Sequence, residues 1–164
     1  MRKLAPLGVI VVVSLATACW AAGPFSAGIA NLWLRGDKTR VLQIAEQRLA
    51  RNSEDMVGLL LKHEYQETFL LVPEIYTTLD QVDAAARRIS SPHFAKLRSL
   101  VLASTESNRR VLARLSPEQL DAERPKGAVP NKPLASIELI EALEADGYVT
   151  AADLPPDLLQ TPSP

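Results

Sequence analysis

Cysteine is almost absent from this chain, whose 164 residues include only Cys19. Because Cys19 lies in an apolar N-terminal run, the rest of the chain has no thiol for a disulfide or a thiolate metal site. A basic excess is also missing, since 18 lysines and arginines stand against 19 aspartates and glutamates. We therefore expect the folded part to be stabilised by packing, and we expect no nucleic-acid partner.

Catalytic and cofactor motifs are missing as well. The sequence contains no Walker, G-x-G-x-x-G or G-x-S-x-G pattern. The run His63-Glu64-Tyr65-Gln66-Glu67 resembles the start of a zinc-protease helix, but Glu67 stands where the second histidine is needed. Nothing in the sequence places His93 nearby as a third ligand, so a solvated polar helix face is the simpler interpretation. We predict no enzyme activity, no cofactor and no metal site.

A calcium loop is similarly incomplete. Glu144 to Thr150 resembles the middle of an EF-hand loop, with Gly147 at the sixth position. That register puts Ala142 at the first ligand position and Asp153 at the last. Gly147 is better explained as the left-handed cap that ends a helix.

What the chain does contain is a long apolar run behind the basic pair Arg2 and Lys3. Leu4 to Ala22 has no charged residue. Its basic start, apolar middle and small residues at the end are typical of a secretory signal. We therefore expect the chain after residue 35 to lie outside the cytoplasm, most simply in a bacterial periplasm or cell envelope.

Three fates of this leader stay open. Residues 4–22 just reach the length of about 20 residues that a transmembrane helix needs, which predicts an uncleaved anchor in the lipid bilayer. Ala16-Thr17-Ala18 also forms an A-x-A cleavage site, which predicts a free mature protein. Finally, Leu15 to Cys19 resembles the lipobox of bacterial lipoproteins, and this resemblance implies that Cys19 is lipidated.

The remaining sequence predicts an all-α fold, because apolar residues recur at helical spacing and several helix-starting signals precede them. The signals are Asp37, Ser53, Ser91 and Ser116. The predicted architecture is a signal or anchor helix followed by a small helical bundle or an irregular α-hairpin array. We divide the chain into a leader and juxtamembrane stretch (1–35), a helical domain (36–124), a proline-rich linker (125–133), a C-terminal helix with its cap (134–154) and a flexible tail (155–164).

One helix pair resembles a known family. Leu49 to Asp55, followed by Leu59-Leu60-Leu61, is similar to the junction between tetratricopeptide repeats. This resemblance covers about one helix pair and implies a concave helical surface that binds another protein.

The predicted function combines these observations. An anchor, several amphipathic helices and the lack of a catalytic set indicate a membrane-tethered protein that mediates protein-protein interaction or the assembly of an envelope complex. Its partner would be a membrane or envelope protein, and the predicted contact surface consists of Leu59, Leu60, Tyr65 and Phe69. The alternative is a small periplasmic hydrolase or ligand-binding bundle that uses His63 with Glu64 or Glu67. The two differ in whether these three side chains line a pocket or point into solvent.

Overall fold

The computed structural model describes residues 22–159, and every regular element in this range is helical, which confirms the predicted all-α class. The helices are α1 (Pro24–Leu34), α2 (Lys38–Arg51), α3 (Met56–Thr68), α4 (Val72–Arg88), α5 (Pro92–Leu112), α6 (Pro117–Glu123), α7 (Ile137–Ala145) and α8 (Pro156–Leu159), with a 3-10 turn at Ala151–Asp153. The predicted leader up to residue 21, with Cys19, lies outside the described residues. Between residues 22 and 159, no helix has the length and apolar character needed to cross a bilayer.

Three of the four predicted caps are confirmed. The side chains of Asp37, Ser91 and Ser116 each accept a backbone N–H bond in the first turn of α2, α5 and α6. The exception is α3, where the prediction of Ser53 is wrong. Asp55 caps this helix instead, with its Oδ1 2.7 Å from the donating nitrogen of Gly58.

The first helices pack on one another in chain order, and a later helix packs back against α1. Each helix from α1 to α4 packs on the next, and α7 contacts both α5 and α1. Glu144 of α7 stabilises the contact between α7 and α1, because its two carboxylate oxygens accept the backbone N–H groups of Phe25 and Ser26 at 2.7 and 2.9 Å.

The core includes both ends of the described chain. In α1 the side chains of Phe25, Ile29 and Trp33 are buried, and they share one apolar cluster with helices α2 to α5 and α7. The stretch containing α1 was predicted to lie near the membrane surface, outside the helical domain of residues 36–124. Among the described residues, the apolar core instead includes side chains of α1 and of residues 134–154 together with those of helices α2 to α5.

Helix α3 is the most deeply buried element. It is apolar on more than one face, and such a helix is expected in the interior of a bundle. Gly58 lets α2 approach closely, since a Cβ there would stand 2.9 Å from the Leu49 side chain and 3.1 Å from the Ala45 carbonyl oxygen. The flanks of α3 are covered mainly by α2 and α4.

Candidate functional site

The polar residues in the second half of α3 are buried. Relative exposures are 1% for His63, 7% for Glu64 and 4% for Gln66. The prediction of a solvated polar face is therefore wrong for these three side chains. These side chains are buried by tertiary packing, because α3 lies between α2 and α4. The chain leading into α7 also crosses the C-terminal half of α3, where it contacts Glu64.

Glu64 has a structural task. Its Oε1 accepts the backbone N–H of Ala135 at 3.0 Å, and its Oε2 accepts that of Ser136 at 3.2 Å. Burial raises the pKa of Glu64, while these backbone donors act in the opposite direction. Both oxygens are thus committed to holding the chain that leads into α7.

Glu67 differs, because no donor in residues 22–159 is hydrogen-bonded to its carboxyl group. The nearest titratable partner of this carboxyl is His63, whose Nδ1 lies 3.7 Å from Oε2 of Glu67. Burial, together with the negative charge of Glu64, raises the pKa of Glu67 to about 8. Burial also lowers the pKa of His63 to about 4. Near pH 7 both partners are mainly neutral, so this contact is not an ion pair.

A cavity of about 290 Å³ opens beside Glu67. Its inner wall includes Glu64, Glu67 and Thr68 of α3, and its outer wall is built largely by the proline-rich segment that was predicted to be a linker. The complete lining consists of Trp33, Lys38, Glu64, Glu67, Thr68, Leu70, Glu123, Pro125, Val129, Pro130, Lys132, Pro133 and Ala135. We call this space the Glu67 cavity.

Lys38 contributes the buried positive charge of this cavity. It is 5% exposed, its Nζ donates to Oδ1 of Asn131 at 3.0 Å, and it lies 5.1 Å from the centre of the Trp33 ring. Among the described residues, no carboxylate pairs with it. An ammonium group can donate three hydrogen bonds, so two donors of Lys38 are left for a bound molecule.

Leu70 adds a strained backbone position to the cavity wall. Its φ is 50°, in the left-handed region that a branched side chain seldom adopts, and the residue is 6% exposed. This conformation ends α3, because the N–H of Leu71 then reaches the carbonyl oxygen of Gln66 at 2.9 Å. A glycine would meet the turn with less strain, but it would remove the apolar side chain from the wall.

Of the four residues of the predicted interaction surface, two are buried in the core and two are partly exposed. Leu59 and Leu60 are 1% and 0% exposed, so neither is available to a partner in the folded chain. Their place in the core follows from the central position of α3. Tyr65 and Phe69 are half-buried, and their ring centres lie 4.7 Å apart.

The residues considered for metals are held by other groups. His93 lies at the start of α5, where its backbone N–H donates to Asp146 at 2.9 Å and its Nδ1 contacts the same carboxylate. Asp153 pairs with Arg48 at 3.1 Å, and Gly147 has the positive φ of a helix C-cap. Within residues 22–159, no three His, Cys, Asp or Glu side chains are grouped in a way that could hold a metal ion.

Catalysis by an activated hydroxyl finds little support in the cavity. Thr68 is the hydroxyl-bearing residue of the lining, and among the described contacts no hydrogen bond joins its side chain to His63, Glu64 or Glu67. A nucleophile and its base are expected within hydrogen-bond reach.

Sequence reasoning identified Glu64 and Glu67 as candidates but missed Lys38, Trp33 and the segment of residues 125–135. The histidine and the two glutamates did come together, yet His63 lies behind the wall and does not line the cavity. A lysine in the first turn of a helix carries no signal for burial, because its partner Asn131 is far away in sequence.

A comparison with known proteins finds no matching family model, no similar curated protein and no similar solved structure.

Proposed function

We propose that this chain is an exported helical binding protein whose Glu67 cavity takes up a small ligand. The observation that carries this proposal is a pair of groups in the cavity lining. The Glu67 carboxyl is 11% exposed and has no hydrogen-bond donor among the described residues, and the Lys38 ammonium is buried and has no carboxylate partner there. Burying such groups unpaired is costly, and a ligand can supply the missing partners. Concave, mostly apolar sites with a few convergent polar groups are the usual form of small-molecule pockets.

Export and tethering are the part of this proposal that rests on the leader. Arg2, Lys3 and the apolar run after them support a location outside the cytoplasm, with the bilayer or a lipid on Cys19 as the tether. Mass spectrometry of the mature N-terminus distinguishes an uncleaved anchor, a lipidated Cys19 and a free mature chain.

A cavity-filling variant tests the binding proposal. Thr68→Trp should place an indole in the Glu67 cavity, while Ser107→Trp on the exposed face of α5 is the matched control. Saturation-transfer NMR with a panel of small amines, carboxylates and amino acids should detect at least one bound compound. We expect Ser107→Trp to keep this binding and Thr68→Trp to lose it. Equal signals from Thr68→Trp and the unmodified chain, for every compound, would contradict the proposal.

The second candidate function is interaction with a membrane or envelope protein. A specific observation supports it: a surface groove of about 410 Å³ runs between α2, α3 and α4, and Leu42, Tyr65 and Leu71 contribute to its lining. Cross-linking in the native membrane should give one defined adduct that Tyr65→Asp removes and Ser107→Asp retains. Identical adducts from both variants would exclude this groove as the contact surface.

A further inference from the structure

Among the charge-bearing groups that line the Glu67 cavity, Lys38 and Glu67 are of opposite kind and both have free hydrogen-bonding capacity. The apolar surface of the walls indicates what kind of molecule can connect them. Lys38 offers two spare N–H donors beside the Trp33 ring. Glu67 offers carboxyl oxygens to which no donor is bonded among the described residues. The walls also include Leu70 and Val129, together with several prolines.

We propose that the ligand is a small zwitterion with an apolar body, of the kind represented by a free aliphatic amino acid, with its carboxylate on Lys38 and its ammonium group on Glu67. This inference rests on the proposed function, since it assigns a ligand class to the same cavity. Charge complementarity carries it, because the buried Lys38 ammonium and the partly buried Glu67 carboxyl each gain a charged partner from one molecule.

Size is consistent with this class. A volume of 290 Å³ is close to the lower end of the range for small-molecule pockets, which starts at about 300 Å³. Since a water molecule occupies about 30 Å³ in the liquid, the space corresponds to roughly ten waters. A molecule of about ten non-hydrogen atoms is therefore the expected occupant.

A proton must be released when the ligand binds. Near pH 7 Glu67 is mainly protonated, because burial and the charge of Glu64 raise its pKa to about 8. An incoming ammonium group stabilises the carboxylate, so the carboxyl proton passes to the solvent while no covalent bond to the ligand forms. The other titratable or charged groups around this carboxyl are those of His63, Glu64, Lys38, Glu123 and Lys132.

Leucine and its two halves provide the first test. Isothermal titration calorimetry should compare leucine with 3-methylbutylamine, which lacks the carboxylate, and with 4-methylpentanoate, which lacks the ammonium group. We expect leucine to bind at least tenfold more tightly than either half. Equal affinity for leucine and one of its halves would overturn the inference, and so would the absence of any leucine binding.

Two substitutions then separate the two ends of the ligand. Lys38→Met should weaken leucine at least tenfold and leave the amine unaffected, whereas Glu67→Gln should weaken leucine and the amine and leave 4-methylpentanoate unaffected. Lys38→Arg keeps the charge and should retain most of the affinity, and it serves as the informative variant if Lys38→Met does not fold. Undiminished leucine binding by folded Lys38→Met or Glu67→Gln would contradict the assignment.

Proton release gives a readout that a merely structural role of Glu67 would not produce. Titrations at pH 7 in phosphate and in Tris, which differ in ionisation enthalpy, should report a released fraction close to one proton per leucine. Glu67→Gln should abolish this release, while Glu46→Gln, an exposed glutamate of α2 outside the cavity, should keep it. If leucine binds without proton release, Glu67 does not hold its ammonium group.

These outcomes are distinct from failure of the cavity itself. If another compound binds and Thr68→Trp blocks it, while leucine does not bind, the ligand class is wrong and the binding function stands. If Thr68→Trp blocks no compound at all, both proposals fail.

Discussion

At the scale of single residues, the central feature is a carboxylic acid that the fold keeps neutral. Glu67 has no hydrogen-bond donor among the described residues, and the nearby His63 is itself neutral because burial lowers its pKa to about 4. Burial and the Glu64 charge raise the pKa of Glu67 from 4.5 to about 8. Such a strong perturbation next to a cavity is more common at functional sites than elsewhere in proteins.

The raised pKa has a consequence for stability. Between pH 4.5 and about 8 the folded chain holds a proton on Glu67 that the unfolded chain has lost. The Glu67 contribution is therefore most favourable at low pH and decreases as pH rises through this window. At full effect the difference is limited to about 5 kcal/mol, since one pKa unit corresponds to about 1.4 kcal/mol.

Replacing this carboxyl with a neutral amide should remove the Glu67 contribution to the pH dependence of stability. We predict that Glu67→Gln is more stable than the unmodified chain at pH 9, and that its advantage grows by about 2 to 3 kcal/mol between pH 6 and pH 9. Urea unfolding followed by circular dichroism at several pH values measures this. The matched control is Glu46→Gln, an exposed glutamate of α2. A constant difference between Glu67→Gln and the unmodified chain across the pH range would show that Glu67 is ionised in the fold.

Single-residue reasoning from the sequence could name Glu64 and Glu67 but could not place them. Glutamate is almost never fully buried unless it is paired, so the sequence alone predicts solvated side chains here. Their burial depends on the segment that ends at Ser136, which lies about 70 positions further along the chain. No local pattern encodes that contact.

At the scale of elements, the helix starts show how far local signals reach. Asp37, Ser91 and Ser116 were predicted as caps, and each accepts the expected backbone bond. Before α3, however, Ser53, Glu54 and Asp55 stand in a row, and two of them are good capping residues. Asp55 is favoured as the cap because Arg48 donates to both of its carboxylate oxygens at 2.8 Å, which holds the side chain in place.

This arrangement gives Asp55 two roles, which substitutions can separate. Asp55→Ala removes the cap and leaves Arg48, whose side chain is 10% exposed, with Asp153 as its remaining partner. We predict a loss of about 2 to 4 kcal/mol in the free energy of unfolding, from about 1 kcal/mol for the cap and the rest for the broken ion pair. Chemical denaturation measures the loss.

Two further variants control this experiment. Asp55→Asn keeps a capping oxygen and should recover part of the loss. Ser53→Ala, the residue that sequence alone suggested, should change the stability by less than about 0.5 kcal/mol because it is exposed. A larger effect at Ser53 than at Asp55 would show that the cap has been misassigned.

At the scale of the whole molecule, the bundle is closed by residues far apart in sequence. The predicted division placed α1 with the leader and α7 beyond a linker, because proline-rich sequence usually marks a boundary. Here the proline-rich segment instead covers the Glu67 cavity, and α7 returns to α1. The helical spacing of apolar residues predicted the helices correctly, but it carries no information about contacts between segments that are far apart in sequence, such as α7 and α1.

Glu144 is the residue through which this closure can be tested. Its carboxylate accepts two N–H groups at the start of α1, where the helix dipole also favours a negative charge. The fit is close, since a Cβ at Gly23 would lie 2.2 Å from the Glu144 carboxyl carbon. The closure therefore depends on a charged cap supplied by α7 and on a glycine that leaves room for it.

We predict that Glu144→Ala loosens α1 in particular. The two N–H groups lose a charge-assisted acceptor, and hydrogen bonds to charged groups contribute about 1.5 to 3 kcal/mol. Hydrogen exchange should therefore speed up at least tenfold in the first turns of α1, while exchange in the central helix α3 changes less. Glu141→Ala is the control, because Glu141 is another glutamate of the same helix. Burial raises the pKa of Glu141, and the negative charges of Glu138 and Glu144 raise it further. Removing that like charge should leave α1 as protected as before. If Glu144→Ala left exchange in α1 unchanged, apolar burial of Phe25, Ile29 and Trp33 alone would hold the two ends of the bundle together.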